Sequence, residues 1–280
     1  MKQIKMIGID MDGTLLTTDK RLTAHTEDVL CQAIRKGVEI VAATGRPHTG
    51  IPEEYREIPG LHYAITANGA RVVNLVTGEV VYEALVPRKK AEEILKLFSE
   101  YDMVEELYKD GQSYLNRAML ERLPEFQANP HMVEYIRTTR KAMENVWDLL
   151  DKYPDGFEKV QALFKNEADR DEAKKRVEEL GDVRAVSSLD YNVEVSRADA
   201  NKGNSLMILA EKLGLSPEEV MGFGDNDNDL EMIQKVGLGV AMQNAIPEVK
   251  EAADYITDTN DREGVAKAIE KFVLAKEMTE

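Results

Sequence analysis

A chain of 280 residues with 43% hydrophobic and 31% charged residues can bury a large core, is long enough for two domains and is too apolar to be disordered. Its net charge of -16 disfavours nucleic acid and anionic membrane surfaces as general partners. Cys31 is the only cysteine, which excludes an internal disulfide and a cysteine-rich zinc site. Because no long apolar signal segment precedes the first acidic residues, we expect a cytoplasmic protein.

The first predicted strand ends in two acidic residues. The apolar run 7–9 is followed by Asp10 and Asp12. Side chains at positions i and i+2 of an extended chain project to the same face, so the two carboxylates should point together and hold a cation or a proton between them. Three interpretations are open: acids at an ordinary strand end, a calcium loop, or a catalytic site. The calcium loop fails on spacing, because Thr14 and Leu15 stand where that loop needs a ligand and a glycine.

An alternation of helices and strands follows the acidic pair. Helical spacing of apolar residues predicts a helix over 23–36, and the apolar segment 38–43 predicts a strand that ends at Thr44. Segment 63–69 predicts a third strand, and segment 72–82 predicts a hairpin. The order strand, helix, strand is typical of a parallel sheet.

This alternation is lost between residue 83 and about residue 190. The stretch contains an amphipathic helix over 87–101 and a polar helix over 167–180. We therefore predict that 83–190 is a smaller inserted α+β domain. Residues 1–82 and 191–280 should together form one α/β domain, with helices on both faces of a mostly parallel sheet.

In the last part of the chain, segment 219–224 predicts another strand, which the acidic run 225–229 closes. Three predicted strands thus end in polar clusters, namely 10–12, 44–46 and 225–229. Because the carboxyl ends of parallel strands share one edge of a sheet, these clusters are expected to meet at one crevice. Taken alone, the run 225–229 is equally a solvated loop. A calcium loop is disfavoured, because Leu230 replaces its glycine and Val236 its bidentate glutamate.

Four short motifs, in order along the chain, resemble those of the haloacid dehalogenase superfamily, specifically its Cof-type sugar-phosphate phosphatases. As they stand here they are Asp10-Met11-Asp12-Gly13-Thr14, Ala43-Thr44-Gly45-Arg46-Pro47, Asn201-Lys202-Gly203, and Gly224-Asp225-Asn226-Asp227-Asn228-Asp229. The resemblance implies a Rossmann-like parallel sheet core formed by 1–82 and 191–280. It also implies that 83–190 is a mobile α+β cap domain.

The resemblance further implies a Mg²⁺-dependent hydrolase of small phosphate monoesters, such as sugar phosphates, that works through an aspartyl-phosphate. Asp10 is the implied nucleophile, and Asp12 the implied acid and base for the leaving alcohol and the attacking water. The implied Mg²⁺ ligands are Asp10, Asp225 and the backbone carbonyl of Asp12, with Asp229 in support. The implied phosphate-binding groups are Thr44, the Gly45 amide, Lys202 and Asn228.

Two other functions stay open at this point. One is a sugar phosphomutase of the same superfamily, in which the phosphoryl group returns to sugar instead of passing to water. The other is a non-catalytic regulatory protein that has kept the fold, although the intact residues Asp10, Asp12, Lys202 and Asp225 argue against it. The expected partner in either enzymatic case is a small phosphorylated metabolite.

Overall fold

The computed structural model describes residues 2–187 and 191–275. Its strands are β1 (Met6–Ile9), β2 (Glu39–Ala43), β3 (Tyr63–Thr66), β4 (Arg71–Asn74), β5 (Val80–Glu83), β6 (Met103–Lys109), β7 (Gln112–Asn116), β8 (Lys141–Met143), β9 (Lys159–Phe164), β10 (Val183–Val186), β11 (Asn192–Arg197), β12 (Val220–Gly224), β13 (Leu238–Ala241) and β14 (Tyr255–Ile256). Its helices are α1 (Ala24–Arg35), α2 (Glu53–Arg56), α3 (Arg88–Phe98), α4 (Met119–Arg122), α5 (Pro130–Thr139), α6 (Leu149–Lys152), α7 (Glu167–Glu178), α8 (Lys202–Lys212), α9 (Leu230–Lys235), α10 (Pro247–Ala252) and α11 (Gly264–Ile269).

The described residues form two compact units. The first, which we call unit 1, draws on Met1–Thr44, Ile51–Tyr82 and Asn201–Glu280, and unit 2 comprises Gly45–Gly50 and Glu83–Ala200. No helix in the described part of the chain is both long and apolar enough to cross a membrane.

Unit 1 is built on an eight-stranded sheet in the order β14-β13-β12-β1-β2-β3-β4-β5. The central strand β1 pairs in parallel with β2 on one side and with β12 on the other. β2 also pairs in parallel with β3, as do β12 with β13 and β13 with β14. β4 pairs with β3 in the antiparallel direction. The predicted α/β class with a parallel sheet is confirmed, and the carboxyl ends of β1, β2 and β12 share one edge.

Alternating side chains bury both faces of this sheet. In β1, Ile7 and Ile9 belong to one core cluster, which includes Val29 of α1 and Ile269 of α11. Met6, on the other face, belongs to a second cluster that includes Leu206 of α8. Residues on both faces of β1 are therefore shielded from water, as expected for a parallel sheet with helices on each side.

Unit 2 is built on a six-stranded sheet in the order β10-β11-β9-β6-β7-β8, in which only the β7–β8 pair is parallel. Leu107 of β6 and Val160 of β9 belong to a core cluster that includes Phe98 of α3 and Val177 of α7. This arrangement has the α+β character expected of the predicted insert.

The end of unit 2 differs from the boundary suggested by the sequence. The predicted boundary falls at residues 190 and 191, and residues 188–190 lie outside the described part of the chain. Beyond them, β11 pairs with β9 and β10, so the six-stranded sheet continues past residue 190 and unit 2 extends to Ala200. The alternating pattern of β11 predicts a buried strand but does not reveal which sheet the strand joins.

Candidate active site

Asp10 lies directly after β1 and is only 5% exposed. Its backbone N–H donates to the carbonyl of Phe223 in β12, and its own carbonyl accepts from the backbone N–H of Leu15. The chain turns sharply at Gly13, whose φ of +89° favours glycine. A Cβ atom at Gly13 would also collide with the Asp225 carboxylate. The first motif therefore needs a glycine for the turn and for the close approach of Asp225.

Lys202 is completely buried and bonds two carboxylates. Its Nζ lies 2.6 Å from Oδ1 of Asp10 and 2.7 Å from Oδ1 of Asp229. The side chain of Asn201 caps α8 by accepting from the backbone N–H of Asn204, so the helix begins at Lys202. The third motif thus supplies a fixed positive charge at the carboxyl edge of the sheet.

The loop after β12 is organised by Asp229. Its Oδ2 accepts hydrogen bonds from the backbone N–H groups of Asp225, at 2.9 Å, and Asn226, at 3.1 Å. Because Oδ1 is bonded to Lys202, both carboxylate oxygens of Asp229 have partners. Oδ1 of Asp225 accepts from the Thr14 hydroxyl at 2.8 Å, which ties this loop to the first motif. Asp229 is placed to orient its neighbours, whereas Asp225 lies beside Asp10.

The carboxylates of Asp10, Asp225 and Asp229 can each offer an oxygen within 4.8 Å of the others. Burial raises the pKa of Asp10 well above its usual range, against the opposing effect of Lys202. Burial and then the charge of Asp229 raise the pKa of Asp225 to about 7. Although burial alone would lower the pKa of Lys202, Asp10 and Asp229 raise it, so Lys202 stays protonated. When all three carboxylates are ionised, one ammonium leaves two of their negative charges uncompensated, and oxygen ligands of this kind suit a hard divalent cation.

Thr44 and Asn228 are linked through Asn68. The backbone carbonyl of Thr44, at the end of β2, accepts from the backbone N–H of Asn68 at 3.0 Å. The side-chain amide of Asn228 donates to Oδ1 of Asn68, also at 3.0 Å. Asn68 itself has a φ of +57°, a left-handed conformation that asparagine tolerates. Gly45, the residue after Thr44, is part of unit 2.

Asp12 contacts a different lysine from Asp10. Its Oδ1 lies 2.7 Å from Nζ of Lys20, and both side chains are 33% exposed. The structure does not support the strand-face argument by which Asp10 and Asp12 were expected to point together. β1 ends at Ile9, so the two-residue alternation of an extended strand does not continue to Asp12.

Several contributors to the site were missed by sequence reasoning. The motif includes Thr14, but its bond to Asp225 was not foreseen. The Asn244 side chain donates to the carbonyl of Gly13 at 2.7 Å and supports the same turn. Lys20 and Asn68 are not among the residues that the sequence predicts for the site. Asn68 could have been noticed from the turn signal of Asn68-Gly69. The other contacts join residues that are distant in the sequence, and such contacts leave no local pattern.

A family model described as haloacid dehalogenase-like hydrolase matches residues 7–269. The chain belongs to this family. It is 36% identical to the putative phosphatase YxeH of Bacillus subtilis (strain 168), over 97% of this chain and 99% of that protein. It is also 32% identical to the 5-amino-6-(5-phospho-D-ribitylamino)uracil phosphatase YcsE of the same organism, over 97% of this chain and 96% of that protein.

Solved structures of family members have the same fold. The structure of a haloacid dehalogenase-like hydrolase from B. subtilis superimposes with a TM-score of 0.84 at 32% identity, covering 96% of this chain and 100% of that one. The predicted Cof-type membership of the haloacid dehalogenase superfamily is thus confirmed, as is the prediction that the protein is an enzyme of the phosphatase class. Its substrate is accordingly a small phosphorylated compound.

Proposed function

We propose that the protein is a Mg²⁺-dependent hydrolase of small phosphate monoesters, of the sugar-phosphate or polyol-phosphate kind, that acts through an aspartyl-phosphate on Asp10. The observation that carries this proposal is the buried group of Asp10, Asp225 and Asp229 around Lys202. The group has too little positive charge to accept a phosphate dianion unaided. In this proposal unit 1 is the catalytic core and unit 2 is the inserted cap domain.

Mg²⁺ would be held by the carboxylates of Asp10 and Asp225 and by the backbone carbonyl of Asp12. The excess negative charge and the all-oxygen donor set of the cluster fit this ion. When bound, it would neutralise the charge that separates the nucleophile from the phosphate. Asp229 keeps both oxygens on protein partners and therefore supports the ligands without contacting the metal.

In the first half of the proposed reaction, a carboxylate oxygen of Asp10 forms a bond to phosphorus while the bond from phosphorus to the alcohol oxygen breaks. The leaving oxygen takes a proton from the Asp12 carboxyl group. In the second half, a water oxygen attacks phosphorus, its proton passes to Asp12, and the Asp10–phosphorus link breaks to release inorganic phosphate. Asp10 and Asp12 return to their starting states, as hydrolysis requires.

The proposed phosphate-binding groups are the side chains of Thr44, Lys202 and Asn228 and the amide of Gly45. Charge spreads over the phosphoryl oxygens in the transition state, and donors that are already fixed stabilise it without reorganisation. Lys202 and Asn228 meet this condition, since both are held by buried hydrogen bonds.

The substrate class is supported by the relative YcsE, whose name gives it a phosphorylated ribityl chain as substrate. A cytoplasmic location, where such metabolites are available, completes the proposal. A panel of sugar, polyol and aryl phosphates, assayed for phosphate release, identifies the preferred ester.

The test uses p-nitrophenyl phosphate with Mg²⁺ or with EDTA. We expect activity only with Mg²⁺, phosphate trapped on Asp10 after acid quench of a labelled substrate, and loss of both in Asp10→Asn. Asp28→Asn is the matched control, because this carboxylate lies on the exposed surface of α1 and pairs with Arg35. Activity in Asp10→Asn, or label on another residue, would contradict the proposal.

A further inference from the structure

Lys20 makes a direct ion pair with the proposed acid and base of the reaction. Its Nζ lies 2.7 Å from Oδ1 of Asp12, and both side chains are two-thirds shielded from solvent. Neither the four motifs nor the proposed chemistry uses Lys20.

The turn that carries Lys20 is built to present it. Lys20 has a φ of +61°, a left-handed conformation that is uncommon for a residue with a long side chain. Its backbone N–H donates to the carbonyl of Thr17 at 2.8 Å, and the backbone N–H of Thr17 donates to the carbonyl of Arg21 at 3.0 Å. Thr18 donates to the Asp261 carboxylate through its backbone N–H, at 2.8 Å, and through its hydroxyl, at 2.7 Å. A strained residue held from both sides is typical of a functional position.

The neighbouring ion pair shows what an ordinary contact looks like in the same turn. Arg21 pairs with Asp19 at 3.1 Å, and their side chains are 77% and 72% exposed. Such a pair is screened by water and contributes little. The Lys20–Asp12 pair is more shielded and reaches from the turn back to the first motif.

We propose that Lys20 is a positioning residue for Asp12. The ammonium holds the Asp12 carboxyl group in the orientation in which it gives a proton to the leaving oxygen and later takes one from water. This assignment rests on the proposed function, because it needs Asp12 to act in both halves of the reaction. Lys20 itself touches neither the reacting phosphorus nor the leaving group in this assignment.

Removal of the ammonium should slow the steps that need Asp12 and spare the step that does not. An alkyl phosphate has a poor leaving group, so its cleavage depends on the proton from Asp12. p-Nitrophenolate leaves without one, so Lys20 should matter little to phosphoenzyme formation from p-nitrophenyl phosphate. Hydrolysis of the phosphoenzyme needs Asp12 as a base whatever the substrate was.

The experiment compares Lys20→Met with the wild-type protein in Mg²⁺. For an alkyl phosphate we expect kcat to fall about 10-fold to 100-fold with KM within about threefold, which is the range for a misplaced acid or base. For p-nitrophenyl phosphate we expect a rapid burst of one p-nitrophenolate per enzyme, followed by slow turnover, because only hydrolysis is impaired. A merely structural role would not produce this burst.

Three further variants complete the test. Arg21→Met is the matched control from the same turn and should have wild-type activity towards both substrates. Lys20→Gly should lose activity like Lys20→Met yet be at least as thermally stable, because glycine adopts a φ of +61° without strain. In an Asp12→Asn background, Lys20→Met should have no further effect.

The assignment is overturned if Lys20→Met turns over both substrates at wild-type rates. It is also overturned if Lys20→Met raises only KM, which would make Lys20 a substrate-binding group, or if Arg21→Met reproduces its defect. These results can arise while wild-type protein still forms the phosphoenzyme on Asp10, so they are distinct from failure of the proposed function.

Discussion

The two units each bury a set of charged side chains, and the sets differ in their balance. In unit 2, Lys159 pairs with Glu194 at 2.8 Å and Arg140 pairs with Glu106 at 2.9 Å, so two cations meet two anions. In unit 1, Lys202 is the single cation among three buried or half-buried carboxylates.

The difference in charge balance distinguishes a structural charge cluster in unit 2 from the proposed catalytic cluster in unit 1. Buried charges are tolerated when each has a partner, and such pairs contribute little net stability. The cluster of unit 2 satisfies this rule within its own residues. With its carboxylates ionised, the cluster of unit 1 exceeds this balance by two negative charges, and burial together with the neighbouring carboxylates raises the pKa values of Asp10 and Asp225. A proton or a bound cation can relieve such an imbalance.

The largest expected effect comes from removing each buried lysine. Lys202→Met and Lys159→Met should each lower the free energy of unfolding by about 3–5 kcal/mol in EDTA at pH 8, because the first leaves Asp10 and Asp229, and the second Glu194, without their buried cation. Mg²⁺ should recover part of the loss in Lys202→Met, since a dication can replace the ammonium, and none in Lys159→Met. Urea unfolding curves with and without Mg²⁺ measure both. If Mg²⁺ restored the free energy of unfolding equally in the two variants, the proposed difference between the clusters would be wrong.

A smaller effect follows from the pKa of Asp225, raised to about 7 by burial and by Asp229. Between about pH 4 and pH 7, Asp225 of the metal-free native protein holds a proton that the unfolded chain releases. The contribution of this group to the free energy of unfolding therefore falls as pH rises from about 4 to about 7, and it is constant above pH 7. Mg²⁺ must displace that proton, so its affinity should rise about tenfold between pH 6 and pH 8. Thermal shifts in a Mg²⁺ titration report this change. An Asp225→Asn variant whose Mg²⁺ response keeps the same pH dependence would refute the assignment.

The smallest effect is expected at an exposed charge group of unit 1. His25 contacts Glu263 at 3.0 Å and Glu270 at 3.1 Å, and hydrogen bonds to these two carboxylates raise the pKa of His25. The stabilisation is complete below the ordinary histidine pKa of about 6.5 and is lost as pH rises through the raised value. Because the His25 side chain is 45% exposed, solvent screening weakens its ion pairs, and His25→Gln should lower the free energy of unfolding by only about 0.5 kcal/mol at pH 6. Thermal unfolding at pH 6 and pH 9 measures it, and a loss that persists at pH 9 would exclude the ion pair as its cause.

Much of unit 1 follows from local pattern. Buried apolar segments such as β1 and β2, separated by the amphipathic α1, predict a parallel sheet because few other arrangements shield both faces of such strands. The pattern was less informative in unit 2, where β11 looks like a return to the first sheet but joins the second. Strand alternation reports burial, whereas the choice of partner strand depends on the whole chain.

The candidate site shows the same limit. Asp10, Lys202, Asp225 and Asp229 are recognisable because their motifs occur in a fixed order, and the structure brings these four together. Lys20 was not recognisable, because its contact with Asp12 depends on an unusual backbone angle in a loop. Positions defined by tertiary contacts alone leave no periodicity or spacing to detect.

The place of β1 in the sheet has a consequence for folding during synthesis. β1 lies between β2, which follows it closely in the chain, and β12, whose Val220 pairs with Met6. β1, the strand that leads into Asp10, therefore lacks its β12 partner until most of the chain has left the ribosome, whereas the strands of unit 2 lie within one continuous stretch. Contacts between such distant segments form late because closing a long loop costs entropy. Unit 2 should accordingly acquire protease resistance on the nascent chain before unit 1 does.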